Sequence, residues 1–392
     1  MNRRMLGLFS CASLFLMLPI SAATPAEIGI GRAHAQIAEN PQHYPFYNAL
    51  AMAYARRARE TSDVAFYQNA EEALAKSFAI APDNFEGMKV HVCLLLGRHE
   101  FAKALDLASR LNKNTPDDVT VYGYLVDANI ELGNYDEAVT AAQWMLNLRP
   151  GNIAGLTRAA DLRELHGYLT PAMEAIQKAY DATPYQEAED RAWLLTKLAH
   201  LCFIAGDLPK AEMYANGALG LFPGYPYPWG ALAEVRMEQQ RYEDAVELLR
   251  KRYDAAPRAE NMYALGEALM AAGHTFEAHR AFAEFERRAL LQLADADNAN
   301  RELIAYYVDY AHRPAEAVAL AEKELARRHD VLTMSSYAWA LAAAGDYRRA
   351  DLEIHKVLAV GVKEPTILRH AQEIEKHFTA SAGARESEAE RH

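Results

Sequence analysis

An all-α solenoid of about nine stacked helical hairpins is the fold class this sequence predicts, and three observations predict it. Prolines close apolar helical stretches at Pro82, Pro116, Pro150 and Pro184, each 34 residues after the last, and Pro223 and Pro257 repeat the interval. Proline disfavours helical geometry in the residue before it and donates no backbone hydrogen bond, so each one marks a helix end. Within an interval, two apolar stretches of helical spacing are parted by a turn such as Gly133-Asn134, Gly167-Tyr168 or Gly206-Asp207. A small residue opens the second stretch at Ala70, Ala104, Ala138, Ala172, Ala211, Ala245, Ala278, Ala317 and Ala350, which counts nine units.

The chain opens with Arg3 and Arg4, an apolar run from Met5 to Ile20, and small residues at Ser21, Ala22 and Ala23. That order is a signal peptide over 1–23, which predicts an exported protein, periplasmic or extracellular. The run is shorter than a bilayer span and contains Pro19, so a retained anchor is the weaker reading, and Cys11 sits in a poor lipobox. Residues 24–43 predict a capping helix, and the nine units run over 44–84, 85–118, 119–152, 153–191, 192–225, 226–258, 259–297, 298–330 and 331–363. A closing helix is expected over 364–378 and a disordered tail over 379–392. Three units carry extra residues, around ETSDVAF, YQEAED and 293–297; insertions are expected in loops, the last as a joint between subdomains.

A length of 392 residues would otherwise suggest two or three globular domains, but the period overrides that count. Apolar residues make up 51% and charged residues 24%, a balance that buries a core. With 41 basic against 53 acidic residues the formal charge is −12, and removal of the first segment leaves 39 basic residues and −14. Such a chain repels polyanions, so no nucleic-acid partner is expected, and no membrane insertion after cleavage. No HExxH, nucleophile elbow, Walker loop or paired CxxC is present, so no enzyme, cofactor or metal is expected. Cys93 and Cys202 lie six helices apart, too far for a disulfide, and are expected as free thiols.

The repeat resembles the tetratricopeptide repeat family, whose 34-residue pattern is W-x2-L-G-x2-Y, then A-x3-F, then P. Trp229, Leu232 and Ala233 precede Ala245, Leu249 and Pro257; Leu265 and Gly266 precede Ala278 and Phe282; Tyr47, Leu50, Ala51 and Tyr54 open the first unit. The resemblance implies a right-handed α-solenoid with capping helices, whose first helices line a concave groove that receives a protein or peptide. Carried over unit by unit, that lining includes Asp127, Glu131, Asp161, Trp193, His200, Tyr227, Glu234, Glu238, Tyr263, Glu267, Tyr306, Tyr310 and Trp339. The family's Lys/Arg/Asn clamp for a terminal carboxylate is absent from these positions. Carboxylates beside aromatic rings suit a basic or neutral partner, through charge attraction and cation–π contact. The expectation is a non-enzymatic protein–protein interaction scaffold, with an envelope glycan-binding or polymer-export accessory protein as the alternative. Aromatics that only pack between units, and acids that only solvate the groove, would account for the same residues.

Overall fold

The computed structural model describes residues 23–389, and among these it is all helical. The expected signal segment, apart from Ala23, and residues 390–392 lie outside the described residues. The opening helix α1 (Pro25–Glu39) has Thr24 as its N-cap in a capping box with Glu27. Hairpins follow: α2 (Tyr44–Thr61) with α3 (Ala65–Ile80), α4 (Phe85–Gly97) with α5 (Phe101–Asn114), and α6 (Val119–Leu132) with α7 (Tyr135–Leu148). Next come α8 (Ile153–Leu165) with α9 (Leu169–Ala182), α10 (Ala188–Ile204) with α11 (Leu208–Leu221), and α12 (Pro226–Glu238) with α13 (Tyr242–Ala255). The last are α14 (Ala259–Ala271) with α15 (Thr275–Leu291), α16 (Asn300–Asp309) with α17 (Pro314–Leu325), and α18 (Val331–Ala343) with α19 (Tyr347–Val360), before α20 (Pro365–Ala389).

The periodic prolines act one step before each new hairpin. Pro82, Pro116 and Pro150 stand two residues ahead of the N-caps Asn84, Asp118 and Asn152. Each of those side chains accepts a backbone N–H from the first helical turn, so proline stops one helix and the cap starts the next. The small residue that opens every second helix has no exposed surface in any of the nine units. A larger side chain there would force the paired helices apart. Cys93 and Cys202 are free.

Three features depart from the sequence expectation. The first two insertions lengthen helices instead of loops: α2 spans 18 residues and α10 17, against 13 or 14 in most others. Around 293–297 the chain does form a loop, but the core runs past it without a break, from Phe285 and Ala289 to Leu303 and Ile304. Arg327 donates to the Asp295 carbonyl at 2.6 Å, and Arg258 pairs with Asp297 at 2.9 Å, so the loop is held to its neighbours. The last helix, α20, is described to Ala389, past residue 378 where the closing helix is expected to end. Alanine, glutamate and arginine in ASAGARESEA are good helix formers and keep the helix going.

The solenoid closes on itself. The lengthened end of α2 meets the lengthened start of α10: Arg56 pairs with Glu187 at 2.6 Å and Arg59 with Glu189 at 3.1 Å. Ser62 donates its hydroxyl to that of Tyr227 at 2.9 Å. Further along, His99 lies 3.5 Å from Asp297 and Arg328 3.4 Å from Glu131, while the Val331 N–H donates to the Tyr135 hydroxyl at 2.9 Å. Nearer the end, His166 Nδ1 bonds the Val360 carbonyl at 2.9 Å. Each contact joins a hairpin to one about five units later, so the concave face is walled in.

Candidate functional site

Within that wall lies a cavity of about 940 Å³. Of the thirteen residues expected to line a groove, it brings six together: Asp127, Glu131, Asp161, Trp193, His200 and Tyr263. They come from the first helices α6, α8, α10 and α14, whose concave stripes face inward. The others lie elsewhere. Glu234 and Glu238 on α12 are exposed, and Tyr227 lines a separate hollow of about 210 Å³ with Ser62 and Arg258. Tyr306 and Tyr310 pack on Phe282, with ring centroids 5.3 and 4.4 Å apart, because that large α15 side chain reaches between the units. Trp339 stacks on His370 at 4.3 Å and 2° and donates its indole N–H to Asp309 at 2.9 Å, so its stacking partner, not Trp339 itself, reaches the cavity wall.

Glu267 is also off the wall, accepting a 2.9 Å hydrogen bond from the Tyr263 hydroxyl. Burial, with Asp309 and Glu302 nearby, pushes its carboxyl up to about 7. The folded chain therefore holds this proton more tightly than the unfolded chain, and the stability so gained is lost as pH rises from about 4.5 to about 7. Glu267→Gln keeps an acceptor for Tyr263 and removes the charge. It is expected to raise stability above neutral pH by on the order of 2 kcal/mol, with no gain in acid, as read by urea unfolding at both ends of that range.

Several wall residues were not assigned from sequence. Lys197, Arg301 and Lys363 put cations where none was expected, and Glu364, Asp330 and His370 add to the wall. Lys197 was legible, because it follows Trp193 by four residues and precedes His200 by three, which places all three on one helix face. The residues from α20 and from the loops before α18 and α20 were not, since only the closure brings them here. The cations do not form a carboxylate clamp. Lys197 is already paired with Asp161 at 3.0 Å and Glu164 at 3.1 Å, and Arg301 lies 3.9 Å from Asp330.

Seven carboxyl groups face this space: Asp127, Glu131, Asp161, Glu164, Glu302, Asp330 and Glu364. Glu164 is satisfied: against the opposing effect of burial, Lys197 and His200 hold its carboxyl at about 2. His200, 2.9 Å from Glu164, is raised by that partner although burial works the other way. Burial raises Asp127 in spite of Arg158 at 2.5 Å, and raises Glu131, where Asp330 adds repulsion. Burial likewise raises Glu302 and Glu364, and neither has an ion pair among the described residues. His370 Nδ1 is buried without a hydrogen-bond partner, and burial pushes the ring down to about 4. Chemically, the wall offers poorly compensated carboxylates beside Trp193 and Tyr263. Among the described residues no three His, Cys, Asp or Glu side chains are grouped to hold a metal.

Residues 203–269 match a family described as tetratricopeptide repeat. No curated protein matches the chain. Among solved structures, the chain is similar to the APC/C hetero-tetramer Cut9-Hcn1, with TM-score 0.51 and 13% identity over 88% of this chain, spanning 59% of that one. It is also similar to the human IFIT1 dimer with m7Gppp-AAAA, with TM-score 0.51 and 13% identity over 84% of this chain and 85% of that one. At such identity the likeness is one of fold. Repeats of this type generally serve as non-catalytic scaffolds for protein contacts. The chain is an all-α solenoid of tetratricopeptide-type hairpins, with the family's sequence pattern matched over residues 203–269.

Proposed function

We propose that this protein is a non-enzymatic scaffold that holds a basic or neutral segment of a protein partner in the walled acidic cavity. The observation that carries the reading is Glu302 and Glu364, half-buried carboxyls with no ion pair among the described residues, both on the wall of a 940 Å³ space. A lysine or arginine side chain entering there would supply the missing counter-charge, and Trp193 and Tyr263 would face its apolar stem. Export is part of the proposal and rests on the order of residues 1–23; Thr24 already caps α1, so cleavage after Ala23 leaves every described helix intact.

The probe is a fluorescein-labelled Gly-Lys repeat peptide, with a Gly-Glu repeat as control, read by fluorescence polarisation on the chain lacking residues 1–23. Capture of the lysine peptide is expected to weaken with added salt, and to fall about tenfold in the Glu302→Gln/Glu364→Gln variant. Binding should also weaken as pH falls, because carboxyls with raised pKa protonate first. Equal capture of both peptides, or no response to the paired substitution, overturns the reading. A glycan or exported polymer is the second reading, favoured by the presence of both Trp193 and Tyr263 in the lining; stacking on sugar rings would leave binding insensitive to salt.

A further inference from the structure

Away from the cavity, α5, α6 and α7 enclose an open hollow of about 400 Å³ on the surface of the third unit. Its walls include Asn112, Tyr122, Asp136, Glu137, Thr140 and Trp144. Trp144 is 48% exposed, an unusual place for the largest apolar side chain, and it lies nearly parallel to Tyr122, at 16° with centroids 6.2 Å apart. Asn112 Oδ1 is buried with no hydrogen-bond partner. An orphaned buried acceptor calls for an explanation, and an N–H donor arriving from outside would provide one. Asp136 and Glu137 are exposed, and neither has an ion pair among the described residues; no lysine or arginine lines the hollow.

Asp136 and Glu137 stand in the first turn of α7, where they also favour the helix dipole. That role explains the charges but not the exposed indole or the unpartnered amide oxygen. One chemical group answers all three. A guanidinium is planar and stacks on an indole face, carries five N–H donors in a fixed fork, and pairs with carboxylates. An ammonium has the charge without the flat face. We infer that this hollow is a guanidinium-binding site that takes an arginine side chain, through stacking on Trp144, ion pairing with Asp136 and Glu137, and donation to Asn112.

The test uses N-acetyl-arginine amide as probe and N-acetyl-lysine amide as control, on the chain lacking residues 1–23. The readout is the Trp144 indole N–H resonance in nitrogen-15 spectra, assigned by loss in Trp144→Phe. The arginine probe is expected to shift it saturably, with the lysine probe weaker by about tenfold. The Asp136→Asn/Glu137→Gln variant, altered only at exposed positions, should weaken the arginine response by about tenfold. A Trp144 resonance that does not move, that responds equally to both probes, or that responds undiminished in the variant overturns the inference. The Trp193 resonance reports the acidic cavity separately, so failure there and failure here are distinct results.

Discussion

Gly167→Ala is expected to destabilise the chain by about 3 kcal/mol and to open its closed arrangement, whereas Gly206→Ala costs only about 1 kcal/mol. Both glycines sit at the turn inside a hairpin with nearly the same backbone, φ +76 and +78. A side chain in that region pays the same backbone strain at either site. The surroundings differ: a Cβ on Gly206 meets nothing within 4 Å, while one on Gly167 runs into the carbonyl oxygen of Gly361. That oxygen belongs to rigid backbone at the end of α19, next to the His166–Val360 bond, so it has no flexible side chain to yield. The difference between the variants isolates the closure from turn strain. Urea unfolding measures the energies, and small-angle scattering should show a larger radius of gyration for Gly167→Ala alone. Identical midpoints and scattering would mean that the contact contributes nothing.

The second large effect is expected at the other end of the closure. Glu189→Ala should cost about 3 kcal/mol, and Glu189→Gln clearly less. Glu189 is 1% exposed and accepts from the Tyr225 hydroxyl at 3.1 Å; Tyr225 itself is 1% exposed. Removing the carboxyl leaves that hydroxyl buried without an acceptor and strips Arg59 and Arg56 of a partner. Glutamine restores the acceptor for Tyr225 but not the charge. Arg59→Ala should cost only about 1 kcal/mol, because its side chain is 51% exposed and water screens its share of the pair. A thermal melt of the three variants gives the order directly; a cost at Arg59 exceeding that at Glu189 would contradict it.

These two sites show what the sequence could and could not convey. The period, the turn glycines and the nine small residues are local signals, and each corresponds to a hairpin in the structure. The insertions around ETSDVAF and YQEAED were equally visible as extra length, but nothing in either segment says that Arg59 meets Glu189 across 130 residues. Closure depends on the small rotation between successive hairpins, summed over several units, and no single residue encodes that sum. For the same reason the groove list, carried over from the family resemblance, recovered inward stripes such as Asp127, Asp161 and His200, yet not Glu364 or Asp330, which arrive from the far end of the chain. Tyr306 and Tyr310 had the right spacing for a lining stripe; Phe282, one helix earlier, decided that they pack inward instead.

Contact between distant hairpins also constrains how such a chain can change in evolution. Open arrays lengthen or shorten by duplicating or losing a unit, since each copy touches only the next. Here a unit gained between the first and fifth hairpins would carry Glu187 and Glu189 away from Arg56 and Arg59, and one gained between the third and ninth would part Tyr135 from Val331. The number of hairpins is thus fixed by contacts that no neighbouring pair makes, and lineages of this protein should vary in loop tips and surface residues while keeping the unit count.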